Sequence, residues 1–236
     1  MIHSAETLAR TAGVEIHLGR EVDKDLISRE SPDLVVVATG GRPLSAPFPG
    51  GDLPHVVQAW DVLNDRVDTG KRVTVVGGGA VGCEVALYLS KFGVLTPEEL
   101  FFLFVHQAES PEVLYDLSTR GLKEINLIEM TGRIGSDIGQ STGWIIRQDL
   151  GRAGVRIMTN TRALEITAEG VRVEKGDDQS LIPADSVVLA LGTQPDNRLY
   201  EAVKDGSTEV ILIGDAKQPA KAYDAVHQAF SIAADI

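Results

Sequence analysis

The pattern of hydrophobic and polar positions predicts a chain in which strands alternate with helices. Three almost wholly apolar runs, at 34–38, 186–191 and 210–213, each end within two residues of a glycine. Runs of this kind are typical of strands buried on both faces of a parallel sheet. Further strands are predicted at 14–18, 73–76, 125–129 and 155–158, with a hairpin over 163–174.

Helices are predicted between these strands from their capping residues and their period. The first is expected to run from its N-cap Ser4 to Ala12, because Gly13 stops it. The others are expected at 81–92, 144–153 and 222–236. This alternation predicts an α/β protein with a mostly parallel sheet.

A glycine-rich turn carries the clearest chemical signal. Its pattern G-x-G-x-x-G follows a predicted strand directly and opens a predicted helix, with Gly77, Gly79 and Gly82 as the glycines. In this context the first glycine permits a tight turn, the second lets a pyrophosphate approach, and the third lets the helix pack closely. The helix start, at Ala80 and Val81, offers free N–H groups to the phosphates. A glycine turn without a ligand is the alternative.

An acidic residue at the end of the next predicted strand completes the fingerprint of a nicotinamide-dinucleotide site. The carboxylate of Glu129 would accept hydrogen bonds from the adenosine ribose and repel a 2′-phosphate, which favours NADH over NADPH. A glutamate that points at water is the alternative. Glu129 lies 52 positions after Gly77, whereas about 20 is usual. Residues from about 94 to 123 are therefore predicted to be an insert.

The insert is predicted to fold as two helices packed against each other. Thr96 with Glu99 forms a capping box, Ser110 starts the second helix, and Gly121 ends it. The apolar positions at helical spacing are Leu100, Leu103, Phe104, Val113, Leu114 and Leu117. The phenylalanines of the first helix either fold the insert onto the domain or form a docking surface for a homo-oligomer.

Composition and charge exclude several classes of function. The 236 residues include 34 acidic and 22 basic ones, so a general affinity for nucleic acid is not expected. A single cysteine, Cys83, excludes an internal disulfide, a C-x-x-C pair and a cysteine-ligated cluster in this chain, and we interpret it as a packing residue. The five histidines lack metal-ligand spacing, so no metal site is predicted. Without a signal peptide or a long apolar run, a cytoplasmic protein away from membranes is expected.

Several motifs together resemble those of a known group of enzymes. Residues 75–84, 38–41 and 212–216 resemble the signatures of two-dinucleotide flavoprotein reductases. The strongest resemblance is to the C-terminal half of the 2,4-dienoyl-CoA reductase / trimethylamine dehydrogenase family, the old-yellow-enzyme type NADH:flavin oxidoreductases. It covers essentially the whole chain, and residues 135–144 and the insert also resemble some bacterial members.

The resemblance implies an architecture in which a Rossmann-like NAD-binding domain is inserted into an FAD-binding α/β domain. The NAD-binding domain is expected at 69–203, and two pieces of a truncated FAD-binding domain at 1–68 and 204–236. The residues implied to lie near FAD are Gly40, Gly41, Gly214, Asp215, Ala225 and Val226. Among them, Asp215 would bind the ribityl or pyrophosphate part, with an ordinary turn residue as the alternative. Gly192 would lie near the nicotinamide.

One departure from the family pattern limits what this chain is expected to do alone. No G-x-G-x-x-G precedes Gly40 to hold the FAD pyrophosphate. The sequence therefore predicts a fragment that binds NAD(H) and lacks FAD when isolated. Its partner would be the missing N-terminal flavin barrel, and FMN and an iron–sulfur cluster would belong to the missing domains.

In the parent enzyme, hydride would pass from NADH to FAD for onward reduction of an enoyl-CoA-like or other unsaturated substrate. The cofactors perform this chemistry, so no catalytic side chain is predicted. Two alternatives remain: a nucleotide-binding structural module without redox turnover, and an interaction domain with the insert as its docking element.

Overall fold

The computed structural model describes residues 2–235 and divides the chain into two compact units. The first unit combines the residues up to 42 with those from 194 onward, and the second spans residues 43–193. The sequence predicted boundaries at 68/69 and 203/204 instead. The difference arises because residues 56–63 supply a strand and a helix to the second unit, and residues 198–203 form a helix of the first.

The elements of the described residues are numbered here in chain order. The strands are β1 (Leu34–Val37), β2 (Gly41–Pro43), β3 (Val56–Gln58), β4 (Arg72–Val76), β5 (Glu124–Ile128), β6 (Arg156–Met158), β7 (Arg162–Thr167), β8 (Gly170–Lys175), β9 (Asp178–Pro183), β10 (Ser186–Leu189), β11 (Thr193–Pro195) and β12 (Glu209–Leu212). The helices are α1 (Ile2–Thr11), α2 (Lys24–Glu30), α3 (Ala59–Leu63), α4 (Ala80–Ser90), α5 (Pro97–Val105), α6 (Pro111–Thr119), α7 (Gln140–Arg152), α8 (Arg198–Val203) and α9 (Ala222–Asp235). Ile236, the predicted end of the last helix, lies outside the described residues.

A five-stranded parallel sheet forms the centre of the second unit, and it confirms the predicted α/β class. Its strand order is β3-β10-β4-β5-β6, and all neighbouring pairs are parallel. Val73 and Val75 face a cluster that includes Cys83 and Val85 of helix α4. The opposite face packs on the antiparallel sheet β7-β8-β9. The sheet is therefore covered on both sides, as its β-branched strands require.

The first unit contains a parallel pair of strands, β1 and β12. The prediction that both strands are buried on two faces is wrong for the described part of the chain, where Val36 is exposed and Val37 is the buried residue of β1. The reason is that each strand has one neighbour within residues 2–235. The predicted strand at 14–18 is also wrong: this segment has no strand partner, and Leu18 is exposed. Helix α1 begins at Ile2 rather than after Ser4.

The predicted two-helix insert is confirmed. Helix α5 begins with the capping box of Thr96 and Glu99, Ser110 caps α6, and the two helices are in contact. Leu114 is the buried residue of the pair, as predicted. Phe104, Val113 and Leu117 are exposed, so their predicted place on the packed face is wrong. Phe101 and Phe102 are exposed as well, which means that none of the three phenylalanine side chains fastens the insert to the unit.

None of the helices described over residues 2–235 is both long and apolar enough to cross a membrane.

Candidate functional site

The glycine turn joins β4 to α4 in a space that admits no side chain at two of its three glycines. Gly77 has a φ of +106°, and a Cβ there would lie 2.3 Å from the Ala190 carbonyl oxygen. A Cβ at Gly82 would lie 1.8 Å from the Gly77 carbonyl oxygen. Gly79 differs, because its φ is −69° and the nearest atom to a Cβ is a carboxylate oxygen 3.3 Å away. The fold itself requires glycine at positions 77 and 82, because a side chain there would meet backbone atoms. At Gly79 only the side chain of Asp137 comes close, so the missing side chain leaves the start of the helix open.

The carboxylate of Glu129 lies against this turn. One oxygen accepts a hydrogen bond from the Gly78 N–H at 2.8 Å, and the other accepts one from the Thr131 N–H at 2.7 Å. The residue is half-buried, so it does not simply point at water. An ionised carboxylate can accept about four hydrogen bonds, which leaves capacity for the hydroxyl groups of a ribose.

A second carboxylate, which sequence reasoning missed, lies at the start of helix α4. The Ala80 N–H donates to both oxygens of Asp137, at 2.9 and 3.0 Å. Asp137 belongs to the loop between β5 and α7, 57 positions further along the chain. The only signal in the sequence is an aspartate between two glycines, Gly135 and Gly139, in the loop that follows the strand of Glu129.

Two clefts flank the turn, and both are lined by Gly79, Ala190 and Gly192. The larger has a volume of about 790 Å³ and includes Glu129 in its wall. The smaller has a volume of about 80 Å³ and is lined in addition by Trp60 of α3, by Ala80 and Val81 at the start of α4, and by Asp137. The structure therefore places Glu129 and Gly192 in the wall of one cleft, and the helix start and Gly192 in the wall of the other. The cofactor-binding roles of these residues stay predictions.

Cys83 lies one residue after the motif and is buried. Its burial, together with the charges of Asp137 and Glu129, raises the pKa of the thiol to about 11. The thiol therefore stays protonated at neutral pH and is a poor nucleophile. This confirms the interpretation of Cys83 as a packing residue.

The residues expected near FAD cluster in the first unit at the carboxyl ends of β1 and β12. The Ile213 N–H donates to the Val37 carbonyl at 3.0 Å, so Gly40 and Gly214 each follow the end of one of two paired strands. Both glycines have positive φ, +77° and +60°. Gly41 follows in β2.

Helix α9 and the turn before it complete this cluster. A Cβ on Gly214 would lie 3.5 Å from the Cβ of Ala225, and its N–H donates to Gln228 at 2.9 Å. Asp215 accepts from the Ala220 N–H at 3.1 Å, so it has a turn-forming contact of its own. Val226 is exposed. A role of these residues in holding FAD stays a prediction.

The parallel sheet, the glycine turn at a helix start and the strand-end glutamate define the class of protein: an α/β oxidoreductase with the two-dinucleotide-binding flavoprotein fold. Residues 3–229 match the family described as pyridine nucleotide-disulphide oxidoreductase, and the chain belongs to that family. Membership implies binding of FAD and NAD(P)H. With Cys83 as its single cysteine, this chain does not itself carry a dithiol pair.

Several known proteins are similar to nearly the whole chain. It is 45% identical over 197 residues to the metal reductase of Desulforamulus reducens, covering 84% of this chain and 30% of that protein. It is 32% identical over 228 residues to the NADH oxidase of Thermoanaerobacter brockii, covering 94% of this chain and 31% of that protein. A solved complex of 2-naphthoyl-CoA reductase with 2-naphthoyl-CoA superimposes with a TM-score of 0.80 at 26% identity, covering 98% of this chain and 31% of that one. The chain thus spans just under a third of the length of these relatives.

Proposed function

We propose that this chain is the dinucleotide-binding part of an NADH-dependent flavoprotein oxidoreductase of the 2,4-dienoyl-CoA reductase / trimethylamine dehydrogenase type. The observation that carries the proposal is the meeting of Glu129, Gly192 and the start of helix α4 around one pair of clefts. When both are bound, NADH supplies a hydride and FAD takes it up. The similarity to 2-naphthoyl-CoA reductase favours an enoyl-CoA-like or other unsaturated final substrate, reduced by parts of a longer protein that hold FMN and an iron–sulfur cluster.

The second unit supplies the residues that would hold NADH. The N–H groups of Ala80 and Val81 and the dipole of helix α4 would bind the pyrophosphate. Gly79 gives the phosphates access to these groups, because it has no side chain. Glu129 would bind the adenosine ribose, and Gly192 would lie near the nicotinamide. The chain's task in this reaction is to bind and orient.

Glu129 also supports a preference for NADH over NADPH. A 2′-phosphate would approach its carboxylate, which already lies on the Gly78 N–H. Two like charges within a few ångströms repel by several kcal/mol at a protein surface, on the order of 4 kcal/mol at 4 Å. Arg133, four positions after Glu129, is exposed and pairs with no carboxylate among the described salt bridges. It is the nearby cation that would oppose this preference.

Calorimetric titration of the 236-residue chain with NADH and NADPH tests this proposal. We expect one NADH per chain and weaker binding of NADPH. Absence of NADH binding to a chain that is folded by circular dichroism would refute the dinucleotide site, and equal affinities would refute the role given to Glu129. The same purified sample should show no stoichiometric flavin absorbance, because the first unit carries no G-x-G-x-x-G turn for the FAD pyrophosphate.

We also propose that the insert mediates association with a second copy of the chain. The observation in favour is that Phe101, Phe102 and Phe104 are 68%, 60% and 66% exposed on one short helix. An exposed apolar patch of this kind is typical of an interaction surface.

A further inference from the structure

Asp137 holds a backbone donor that a dinucleotide phosphate would also need. Its two carboxylate oxygens share the Ala80 N–H, at 2.9 and 3.0 Å. Ala80 is the first residue of helix α4, which is preceded by Gly79 and has no side-chain cap of its own. The free N–H groups of a helix start are the groups that bind phosphate in sites of this kind. Because both carboxylate oxygens already lie on this one N–H, a phosphate oxygen has to displace the carboxylate to reach it.

The loop that carries Asp137 is fixed to the glycine turn, so this contact is built into the fold. The Gly135 N–H donates to the Gly78 carbonyl at 2.7 Å, and Ile134 is 2% exposed in the core. Asp137 itself is exposed. Its side chain can therefore rotate into solvent while the backbone of the loop stays attached to the turn.

The charges around the turn also oppose the binding of a phosphate. Glu129 lies on the Gly78 N–H and Asp137 on the Ala80 N–H, so two carboxylates accept from donors two residues apart. Both carboxylates also contribute to the raised pKa of the Cys83 thiol below them. A pyrophosphate would bring further negative charge to a place that is already negative, which disfavours its binding as long as Asp137 stays in place.

We propose that Asp137 competes with the pyrophosphate of the dinucleotide for the start of helix α4 and thereby lowers the affinity of the site for phosphate-bearing ligands. This inference rests on the proposed function. Ligand binding requires that the carboxylate leaves Ala80, and the carboxylate returns when the ligand departs. Asp137 is thus a residue that sets affinity and promotes release of the bound dinucleotide.

The test compares D137A and D137N with the unaltered chain. D137A removes both the hydrogen bond and the charge, whereas D137N keeps a capping side chain and removes the charge alone. The matched control is D177N, which makes the same change of charge at the exposed turn between β8 and β9. Calorimetry measures the affinity for NADH, ADP and adenosine, and the Ala80 amide signal in a nitrogen–proton correlation spectrum reports the contact with Asp137.

We expect D137A to bind NADH and ADP about tenfold more tightly, the factor that corresponds to the contribution of one capping carboxylate. D137N should show a smaller gain. The affinity for adenosine, which has no phosphate, should stay unchanged, and D177N should behave like the unaltered chain. Without added ligand, D137N should shift the Ala80 signal and D177N should not.

Two outcomes would overturn the inference in distinguishable ways. If the unaltered chain binds NADH and D137A binds it equally or more weakly, the competition is refuted while the dinucleotide site stands. If no variant binds NADH or ADP although D137N shifts the Ala80 signal, the proposed function fails and the competition fails with it.

Discussion

Replacement of Gly79 by alanine should separate dinucleotide binding from folding. The backbone of Gly79, with φ −69° and ψ −172°, lies in a region that any L-residue adopts. The nearest atoms to an added methyl group are the carboxylate oxygens of Asp137, at 3.3 and 3.7 Å. That side chain is exposed and can give way, so the substitution should fit the folded chain.

The structure gives the expected magnitudes for this substitution. Alanine restricts the unfolded chain and stabilises by about 0.4–1 kcal/mol, which offsets the adjustment of Asp137. The free energy of unfolding should therefore change by less than about 1 kcal/mol. The methyl group would stand in front of the helix start, where a phosphate must approach. Overpacking of this kind costs about 1–3 kcal/mol, which corresponds to a loss of roughly 5- to 150-fold in NADH affinity.

Calorimetry with NADH and thermal unfolding measure the two effects. The matched control is G151A in helix α7, where an added Cβ meets no atom within 4 Å. This control should raise the stability by about 1 kcal/mol, as alanine does in helices, and leave NADH binding unchanged. G82A should instead impair folding, since its Cβ would lie 1.8 Å from a carbonyl oxygen. A folded G79A variant that binds NADH as tightly as the unaltered chain would refute the placement of the phosphates at Gly79.

Three further predictions concern the charge at the turn, the insert and one surface ion pair. E129Q should bring the affinities for NADH and NADPH closer together in calorimetry, because it removes the repulsion of the 2′-phosphate and keeps the shape of the side chain. F101E should reduce self-association in analytical ultracentrifugation without changing NADH binding, since Phe101 is 68% exposed. D185N should lower the melting temperature at pH 7, because hydrogen bonds from Arg72 hold the pKa of Asp185 at about 2, below its usual value. A carboxylate with a lowered pKa stabilises the fold above the pKa of the unfolded chain, so the difference should shrink as the pH falls below about 4 and vanish below about 2.

Each of these predictions has an outcome that would contradict it, and F101E also has a control variant. An unchanged ratio of NADPH to NADH affinity in E129Q would remove Glu129 from cofactor selection. L181E, on the exposed side of β9, is the control for F101E, and equal effects of the two would argue against a specific interface. A melting difference for D185N that is as large at pH 2 as at pH 7 would show that the loss comes from packing rather than from the ion pair.

The sequence predicted those elements whose own side chains fill the core. The strand at 73–76 is a continuous β-branched run and the strand at 186–191 is almost wholly apolar, and residues 73–76 and 186–189 are buried in the structure. Strand β3 has three residues and owes its place to pairing with β10, which no local pattern shows. Strand β9 is mostly exposed, so it lacks a hydrophobic alternation. Conversely, residues 14–18 alternate between apolar and polar side chains but form no strand, because no neighbouring strand pairs with them.

The candidate site shows the same limit. The glycines can be recognised from their spacing and the glutamate from its place at the end of the next strand, because both signals depend on nearby residues. The contact of Asp137 with Ala80 joins positions 57 apart and depends on how a loop folds back over the turn. Its geometry follows from tertiary structure, so the sequence offered a segment of family resemblance and no role for this residue.

Two hydrogen bonds lie near the points where the chain passes from one unit to the other. They have a consequence for separating residues 43–193 from the rest of the chain. Within the second unit, the Leu44 N–H donates to the Gly192 carbonyl at 3.0 Å, so the two ends of residues 43–193 meet. Within the first unit, the Asp196 N–H donates to the Gly40 carbonyl, also at 3.0 Å. In each unit, the chain ends at the boundary are thus held together by a hydrogen bond. The entropy lost on joining such ends by a short peptide is small. A short peptide between residues 42 and 194 is therefore expected to bridge the ends that removal of residues 43–193 would leave, because the Asp196–Gly40 hydrogen bond already holds those ends together.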